Sequence, residues 1–352
     1  MWIVDWLKKS EKIVFWNRCR IHRNKPDFRK MVLEGYQNPD FLELHHFGKE
    51  YRGSIIYYVE ETGSGIGFFA ELGMTLIKLH FADDRGFVPY VHWGEKYVFY
   101  EQQGIAGEYN AFLHYFKPVS EVLSIKQASN VIYQEESHCK QVKELYGAVS
   151  YELSEEYVNA MARMMKKYIR YNDKTLDYLQ REYDRLLGTK KTIAVHHRGT
   201  DYNKHFNNHP IPVRIEQEID KIKELLGQEK GYEQIFLATD EKSTVLRFKQ
   251  EFGDMVKFYE DTYRDEGSGE SVAFSESDRE SHHYKLGLEV LRDQFNLTHC
   301  DALIGGYSNI TFIARVMRRA WFSAEWEDYC LISNGLYHNE NRFSESVNAR
   351  RR

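Results

Sequence analysis

The chain has 352 residues, which corresponds to about two domains of ordinary size. Hydrophobic residues make up 42% and charged residues 29%, a composition that indicates a folded globular protein and excludes a disordered or fibrous one. The 48 basic and 53 acidic side chains give a formal net charge of −5, which excludes a protein that coats nucleic acid through its net charge.

Cysteine usage and hydropathy predict a cytoplasmic protein. No two cysteines form a C-x-x-C pair, so a disulfide framework and a structural zinc site are both disfavoured. No apolar run approaches the length of a membrane span, and the N-terminus lacks the apolar core of a signal peptide. The four cysteines are Cys19, Cys139, Cys300 and Cys330.

Residues 1–30 depart from the average composition. They hold nine Lys and Arg against three acidic residues, with Trp2, Trp6 and Trp16 between them. Such a segment is typical of a helix packed on the protein body with a solvated basic face. It also suits peripheral contact with the inner face of a membrane.

The N-terminal half mixes strand and helix patterns. Residues Ser54–Glu60 predict a strand that leads through a glycine-rich turn into a helix at Phe68–His80. Phe87–His92 predicts the next strand. A long helical stretch at Ser154–Gly188, with a start signal at Ser154 and a stop at Gly188, predicts the connector to the second half.

The second half alternates regularly between strands and helices, which predicts a parallel, doubly wound sheet. We therefore expect an α/β protein with two Rossmann-like halves and a cleft between them. The predicted domains are residues 1–188 and 189–335, followed by a tail at 336–352. The predicted strands are Thr192–His196, Gln234–Ala238, Met255–Tyr259 and Ala302–Ile304, and the helices are Val213–Leu226, Glu241–Phe252, Tyr284–Phe295 and Thr311–Arg319.

A glycine cluster separates the first strand from its helix. From Gly65 it matches the loose pattern G-x-G-x-x-A, which ends at Ala70. Glycines permit close backbone approach, and a helix N-terminus offers N–H groups to an anion, so Gly65 and Gly67 are candidate donor-binding residues. A tight turn explains the same cluster equally well.

The strongest motif follows the first strand of the second half. His196 and Arg198 come at the strand end, with Asp201 three positions beyond the arginine. Arginine suits bidentate contact with phosphate. Asp201 would then orient Arg198 or cap the following turn.

Two further strand ends carry polar residues. Asp240 follows the second strand, where it is a candidate donor-binding residue or the N-cap of the next helix. The last strand ends in two glycines before Ser308 and Asn309, which open a helix. This turn predicts either a phosphate cradle or ordinary helix capping.

The order strand–HxRxTD, strand–ATD and strand–xxSN resembles the fucosyltransferase superfamily of GT-B glycosyltransferases, and is similar above all to its α1,6-fucosyltransferase pattern. The resemblance covers residues 190–320. It implies a GT-B-like fold in which Arg198 holds the β-phosphate of GDP-fucose and His196 and Asp293 contact guanine. Ser308 and Asn309 match the residue pair that meets the diphosphate.

The chain departs from that pattern in the loop after the motif. Gly199 stands where the hallmark has its second arginine, and Tyr202 replaces a lysine. The acidic loop residue that would serve as general base has no counterpart. Asp201, His205 or a carboxylate of the N-terminal half are the candidates for that role.

The resemblance implies an inverting transfer of fucose to a glycan acceptor, oligosaccharide or lipid-linked, with no cofactor besides the donor. The chain contains no D-x-D triplet, so a metal-independent reaction is expected. Alternatives are another GDP-sugar, α1,2-fucosylation, or a non-catalytic sugar-nucleotide-binding protein. An NAD- or S-adenosylmethionine-dependent enzyme built around Gly63–Gly67 is the alternative from another class.

Overall fold

The computed structural model describes residues 43–63, 65–133, 154–199, 205, 207–267 and 271–340. The basic segment 1–30, Asp201 and Tyr202 lie outside these ranges. The described chain divides into two compact units. The first comprises residues 43–61, 74–92 and 118–133, and the second comprises residues 62–73, 93–117 and the chain from residue 154 onward. The domain boundaries at residues 188 and 335 stay predictions.

The first unit contains a four-stranded sheet in the order β1-β4-β2-β3. Strand β2 is parallel to both β3 and β4, whereas β1 is antiparallel to β4. One face packs Ile56, Tyr58 and Val131 against Val122 and Ala128. The strands are β1 (Glu43–His45), β2 (Ile56–Glu60), β3 (Val88–His92) and β4 (Val131–Tyr133).

Helix α1 (Phe68–Asp84) follows the glycine-rich turn, as predicted, and continues four residues beyond the expected end. Its first turn belongs to the second unit, and the division between the units falls after Gly73. Gly63 and Gly65 have φ angles of 64° and 67°, a backbone conformation that favours glycine. The tight turn before the helix is therefore sufficient to explain why glycine occurs at these two positions.

The second unit contains a five-stranded sheet in the order β7-β6-β5-β8-β9, in which every pair is parallel. Counted from β5, this order is 3-2-1-4-5, that of a doubly wound sheet. The predicted α/β class and parallel second sheet are confirmed. The strands are β5 (Thr192–His197), β6 (Gln234–Thr239), β7 (Val256–Lys257), β8 (Ala302–Gly306) and β9 (Asp328–Ile332).

Helices cover both faces of this sheet. Apolar residues of α4 and α5 pack on one face with Ile193 and Val195, and residues of α6 and α7 pack on the other with Ala194. Successive side chains of β5 thus enter opposite cores, as the pleat of a strand requires. The helices are α2 (Glu155–Tyr168), α3 (Asp173–Leu186), α4 (Ile215–Gly227), α5 (Lys242–Phe252), α6 (His282–His299) and α7 (Asn309–Phe322).

The single helix predicted at Ser154–Gly188 is wrong, because the chain breaks into α2 and α3. Helix α2 ends at Tyr168, and Asn172 caps α3: its side-chain oxygen accepts from the Thr175 N–H at 2.8 Å, and its amide group donates to the carbonyls of Leu113 and His114. The predicted ends hold, since Ser154 caps α2 and Gly188 has the positive φ of a helix stop.

Two further corrections concern strands. The strand predicted at Met255–Tyr259 is only two residues long, because a 3₁₀ turn at Gly253–Met255 precedes it and the chain leaves the sheet after Lys257. Strand β9 was not predicted. It is a half-exposed edge strand with the sequence DYCLI, and no helix follows it among the described residues.

Within the described ranges, no helix is both long enough and apolar enough to span a membrane.

Candidate functional site

The candidate site lies at the carboxyl ends of β5, β6 and β8. The chain passes from β5 to β6 through α4 on one face of the sheet, and from β8 to β9 through α7 on the other. The strand order therefore reverses between β5 and β8. In open parallel sheets a crevice forms at this position, and ligands bind there.

His196, at the end of β5, contacts the start of α7. Its Nδ1 lies 3.2 Å from the hydroxyls of both Ser308 and Thr311. The ring is buried, and burial, with a smaller effect of the nearby Arg198 charge, lowers the pKa of His196 to about 3. His196 is therefore a neutral imidazole at physiological pH.

Ser308 is the N-cap of α7: its hydroxyl accepts from the Thr311 N–H at 3.1 Å. The capping prediction for this residue is confirmed. Asn309 is the first helical residue and is exposed. The first N–H groups of a helix have no acceptor within it, and its dipole favours negative charge there. Helix capping and anion binding are thus compatible at this turn.

Arg198 is held by Asp240 across the ends of β5 and β6. Its Nη1 donates to Asp240 Oδ2 at 3.0 Å, and the N–H of Gly199 donates to Asp240 Oδ1 at 3.1 Å. The expectation that Asp240 caps α5 is wrong, because Glu241 occupies that position and the Asp240 carboxylate is turned toward Arg198. Asp240 orients the arginine instead.

The site also contains a buried pair that the sequence did not predict. His197 points to the opposite face of β5 from His196, where its Nδ1 lies 2.8 Å from Glu218 Oε2 of α4. Burial opposes the charge on His197, but the Glu218 hydrogen bond and carboxylate outweigh it and raise the His197 pKa. The sequence does contain one signal for this pair: Glu218 is an acidic residue on the apolar stripe of α4, between Ile215 and Ile222, where it is fully buried and needs a partner.

Asp293, on α6, lies in a cluster of charged side chains. Its other members are Glu289 and Arg292 of α6, and Asp261 and Arg264 of the chain that follows β7. Burial raises the pKa of Asp293 to about 7, against the charges of Arg292 and Arg264. The guanidinium of Arg292 donates hydrogen bonds of 2.9 and 3.2 Å to the carboxylate of Asp261. In the described part of the chain, Nε and Nη2 of Arg264 are buried without an acceptor.

This cluster is connected to the arginine site through the backbone. The N–H of Asp265, next to Arg264, donates to the carbonyl of Asp240 at 2.9 Å, and the N–H of Lys242 donates to the Asp265 carbonyl. The Asp293 cluster and Arg198 therefore lie along one edge of the sheet. No contact recorded between described residues joins Asp293 directly to His196.

The loop after β5 carries the other predicted catalytic residues. Asp201 lies outside the described residues. His205 has a φ of 52° and is exposed, and its ring stacks on Tyr337 with centroids 4.6 Å apart. The loop continues into residues 207–211, which pair with residues 335–339: Asn208 N–H donates to the Tyr337 carbonyl, and Tyr337 N–H donates to the His209 carbonyl, both at 2.9 Å.

The turn that contains Gly65 and Gly67 has an acidic partner. The N–H of Thr62 lies 3.0 Å from both carboxylate oxygens of Glu71, which is buried in the first turn of α1. A carboxylate at this position disfavours a pyrophosphate there, and with it the NAD-binding alternative. Gly65 and Gly67 as donor contacts stay predictions.

Among the described residues, no three His, Cys, Asp or Glu side chains are arranged to hold a metal ion. A comparison of the sequence with protein-family models finds no match, and neither does a comparison with curated proteins.

Solved structures similar to this chain include NodZ α-1,6-fucosyltransferase and POFUT1. NodZ α-1,6-fucosyltransferase soaked with GDP-fucose is 17% identical with a TM-score of 0.48, over 75% of this chain and 92% of that one. NodZ from Bradyrhizobium is 15% identical with a TM-score of 0.45, over 76% and 92%. POFUT1 in complex with GDP-fucose is 11% identical with a TM-score of 0.45, over 79% and 98%.

Proposed function

We propose that this protein is a glycosyltransferase that moves fucose from GDP-fucose to a glycan acceptor, with inversion and without a metal ion. One observation supports this above the others. Arg198, fixed by Asp240, and the N-terminus of α7 both flank the neutral His196 where the strand order reverses. A fixed guanidinium and an open helix N-terminus are the groups that bind a diphosphate.

The chemistry requires charge stabilisation on the leaving group. The bond between the anomeric carbon and the β-phosphate oxygen breaks, the acceptor oxygen bonds to that carbon from the opposite face, and its proton passes to a base. GDP departs with an additional negative charge, which Arg198 and the amide groups at the start of α7 stabilise. His196 adds no charge, and its Nδ1 contacts with Ser308 and Thr311 connect β5 to that helix.

The base moiety of the donor would bind at the Asp293 cluster. An ionised carboxylate accepts from N1–H and N2–H₂ of guanine together, a donor pattern that adenine does not offer. The cluster lies along the same sheet edge as Arg198 through the Asp265–Asp240 backbone bond, which suits one extended nucleotide. The candidates for the general base are Asp201, His205 and a carboxylate of the N-terminal half.

Nucleotide binding and turnover test the proposal. Calorimetric titration with GDP, UDP, ADP and NAD is expected to show binding of GDP alone at micromolar concentration, and transfer assays with GDP-fucose are expected to release GDP. Arg198→Lys should lower turnover about a hundredfold, a cost of about 3 kcal/mol. Arg181→Lys, on the exposed face of α3, is the matched control. Equal affinity for GDP and ADP, or full turnover by Arg198→Lys, contradicts the proposal.

Cellular location belongs to the same proposal. We place the enzyme in the cytoplasm, with residues 1–30 as a peripheral contact to the inner membrane face when the acceptor is lipid-linked. Vesicle flotation of the full chain and of a chain lacking residues 1–30 tests this, because equal flotation removes the assigned role of the segment.

A further inference from the structure

The side chain of Glu241 occupies the space beside Gly199. A Cβ atom added at Gly199 would overlap the Cδ and Oε1 atoms of Glu241. Gly199 is buried beneath that carboxylate, and the Glu241 side chain is 21% exposed. A side chain at the position of Gly199, which replaces the second arginine of the hallmark, would therefore displace the carboxylate of Glu241 from its present place.

One oxygen of the Glu241 carboxylate, Oε2, lies close to two neighbouring side chains. Thr244 Oγ1 donates to Oε2 at 3.2 Å, and His197 Nε2 lies 4.0 Å from the same oxygen. His197 is in turn held by the buried Glu218 through its other ring nitrogen. Within the described residues both contacts fall on Oε2, which leaves Oε1, beside Gly199, for an external donor.

Two neighbouring pairs of residues at these strand ends carry different net charges. Arg198 pairs with Asp240, and the next residue on each strand end gives the Gly199–Glu241 contact. Residues adjacent in the chain are 3.8 Å apart at their Cα atoms. A diphosphate bound to Arg198 would thus have a second carboxylate close by. Like charges repel, so this carboxylate does not serve the phosphates. It suits the uncharged, hydroxylated group attached to them.

We propose that Glu241 binds the transferred sugar, with its Oε1 atom accepting hydrogen bonds from the hydroxyl groups of that sugar. This inference rests on the proposed function and assigns the sugar subsite to the strand end next to Arg198. Carboxylates are strong acceptors for hydroxyl donors. The hydrogen bond from Thr244 to Oε2 orients the carboxylate for this contact.

The test separates recognition of the sugar from recognition of the nucleotide. Glu241→Ala should bind GDP within twofold of the wild type and GDP-fucose at least tenfold more weakly, both measured by calorimetric titration. Glu241→Gln, which keeps one acceptor oxygen, should fall between the two. Glu224→Ala, on the exposed end of α4, is the matched control, and thermal melting confirms that each variant is folded.

A double-mutant cycle tests the steric link with Gly199. Gly199→Ala should expel the Glu241 carboxylate and weaken GDP-fucose binding as Glu241→Ala does. In a Glu241→Ala background, Gly199→Ala should have no further effect on the affinity. Additive effects, or equal losses of GDP and GDP-fucose affinity in Glu241→Ala, overturn the inference. Failure of the wild type to bind GDP overturns the proposed function itself, which distinguishes the two.

Discussion

Asp240 Oδ2 and Arg198 Nη1 lie 3.0 Å apart across the ends of two neighbouring strands, and the same carboxylate accepts the N–H of Gly199. Through these bonds one acidic side chain fixes both the guanidinium and the backbone that leads into the following loop. The arginine side chain is 28% exposed and that of its partner 15%, so both are only partly accessible to solvent.

Asp240→Asn should weaken GDP binding about tenfold. The asparagine oxygen still accepts one hydrogen bond, but the charge that orients Arg198 is lost, and bonds to charged groups contribute about 1.5–3 kcal/mol. Calorimetric titration measures the change, with Asp220→Asn on the exposed face of α4 as control. An unchanged GDP affinity would show that Arg198 orients itself without this carboxylate.

Guanosine binding should strengthen as the pH rises from 6 to 8. Burial raises the pKa of Asp293 to about 7, so the carboxyl group is protonated below that pH and ionised above it. Only the ionised form accepts from both donors of guanine, so affinity should fall up to about tenfold per pH unit below 7. Guanosine is used because it carries no phosphate that titrates in this range.

Asp293→Asn supplies the control for this pH dependence. The variant should bind guanosine weakly and equally at pH 6 and pH 8. A variant that retains the wild-type pH profile would assign the titration to another group.

His196 should make the protein less stable in acid. Its pKa is lowered to about 3 in the folded state, whereas the unfolded chain takes up a proton near pH 6.5. Between these values the unfolded state binds more protons, so the free energy of unfolding falls by up to about 1.4 kcal/mol per pH unit as the pH decreases. Urea unfolding of His196→Asn at pH 5 and pH 7 should show a smaller difference than the wild type.

His197 provides the opposite case in the same strand. Its pKa is raised, so its stabilising effect is complete below the unfolded pKa and is lost as the pH rises through the folded pKa. His197→Gln should therefore remove stability at low pH more than at high pH. Parallel pH profiles for the two variants would contradict the opposite pKa shifts of these two rings.

Asn172→Ala should destabilise the protein by about 1–2 kcal/mol. The change removes the cap of α3 and two side-chain bonds to the carbonyls of Leu113 and His114. Chemical unfolding measures the loss, and Lys174→Ala, exposed on the first turn of the same helix, is the control. A loss no larger than that of the control would mean that the break between α2 and α3 does not depend on this side chain.

The strands and helices of the second unit were predictable because buried strands leave dense apolar runs and their helices leave a 3.6-residue period. The split of the long helix at Asn172 was not, since an asparagine followed by aspartate also occurs inside helices. Its side chain acts through carbonyls about sixty residues earlier in the chain, which no local pattern reveals. Strand β9 was missed although it contains the apolar run Tyr329–Ile332, because so short a run does not by itself identify a strand and no helix follows it among the described residues to continue the alternation.

The candidate site shows the same division. Sequence patterns located Arg198, His196 and Ser308 at strand ends, because parallel strands bring those ends together. The partner of Arg198 was not predictable, because Asp240 and Asp201 both carry a carboxylate at a plausible position. The side chain of Glu241 occupies the space beside Gly199. This contact joins two neighbouring strand ends, and a glycine in a sequence motif does not indicate which residue lies next to it.

The pairing of residues 335–339 with residues 207–211 ties the loop after β5 to a part of the chain more than a hundred residues later. Asn339, for instance, bonds Asn207 across 132 positions. Residues 335–339 thus hold the chain that follows His205 in place. Removal of these residues would lengthen the free segment after β5 and increase the entropy cost of ordering it. Changes made at residues 335–339 therefore act on the segment that follows Arg198, although they lie more than a hundred positions from it in the chain.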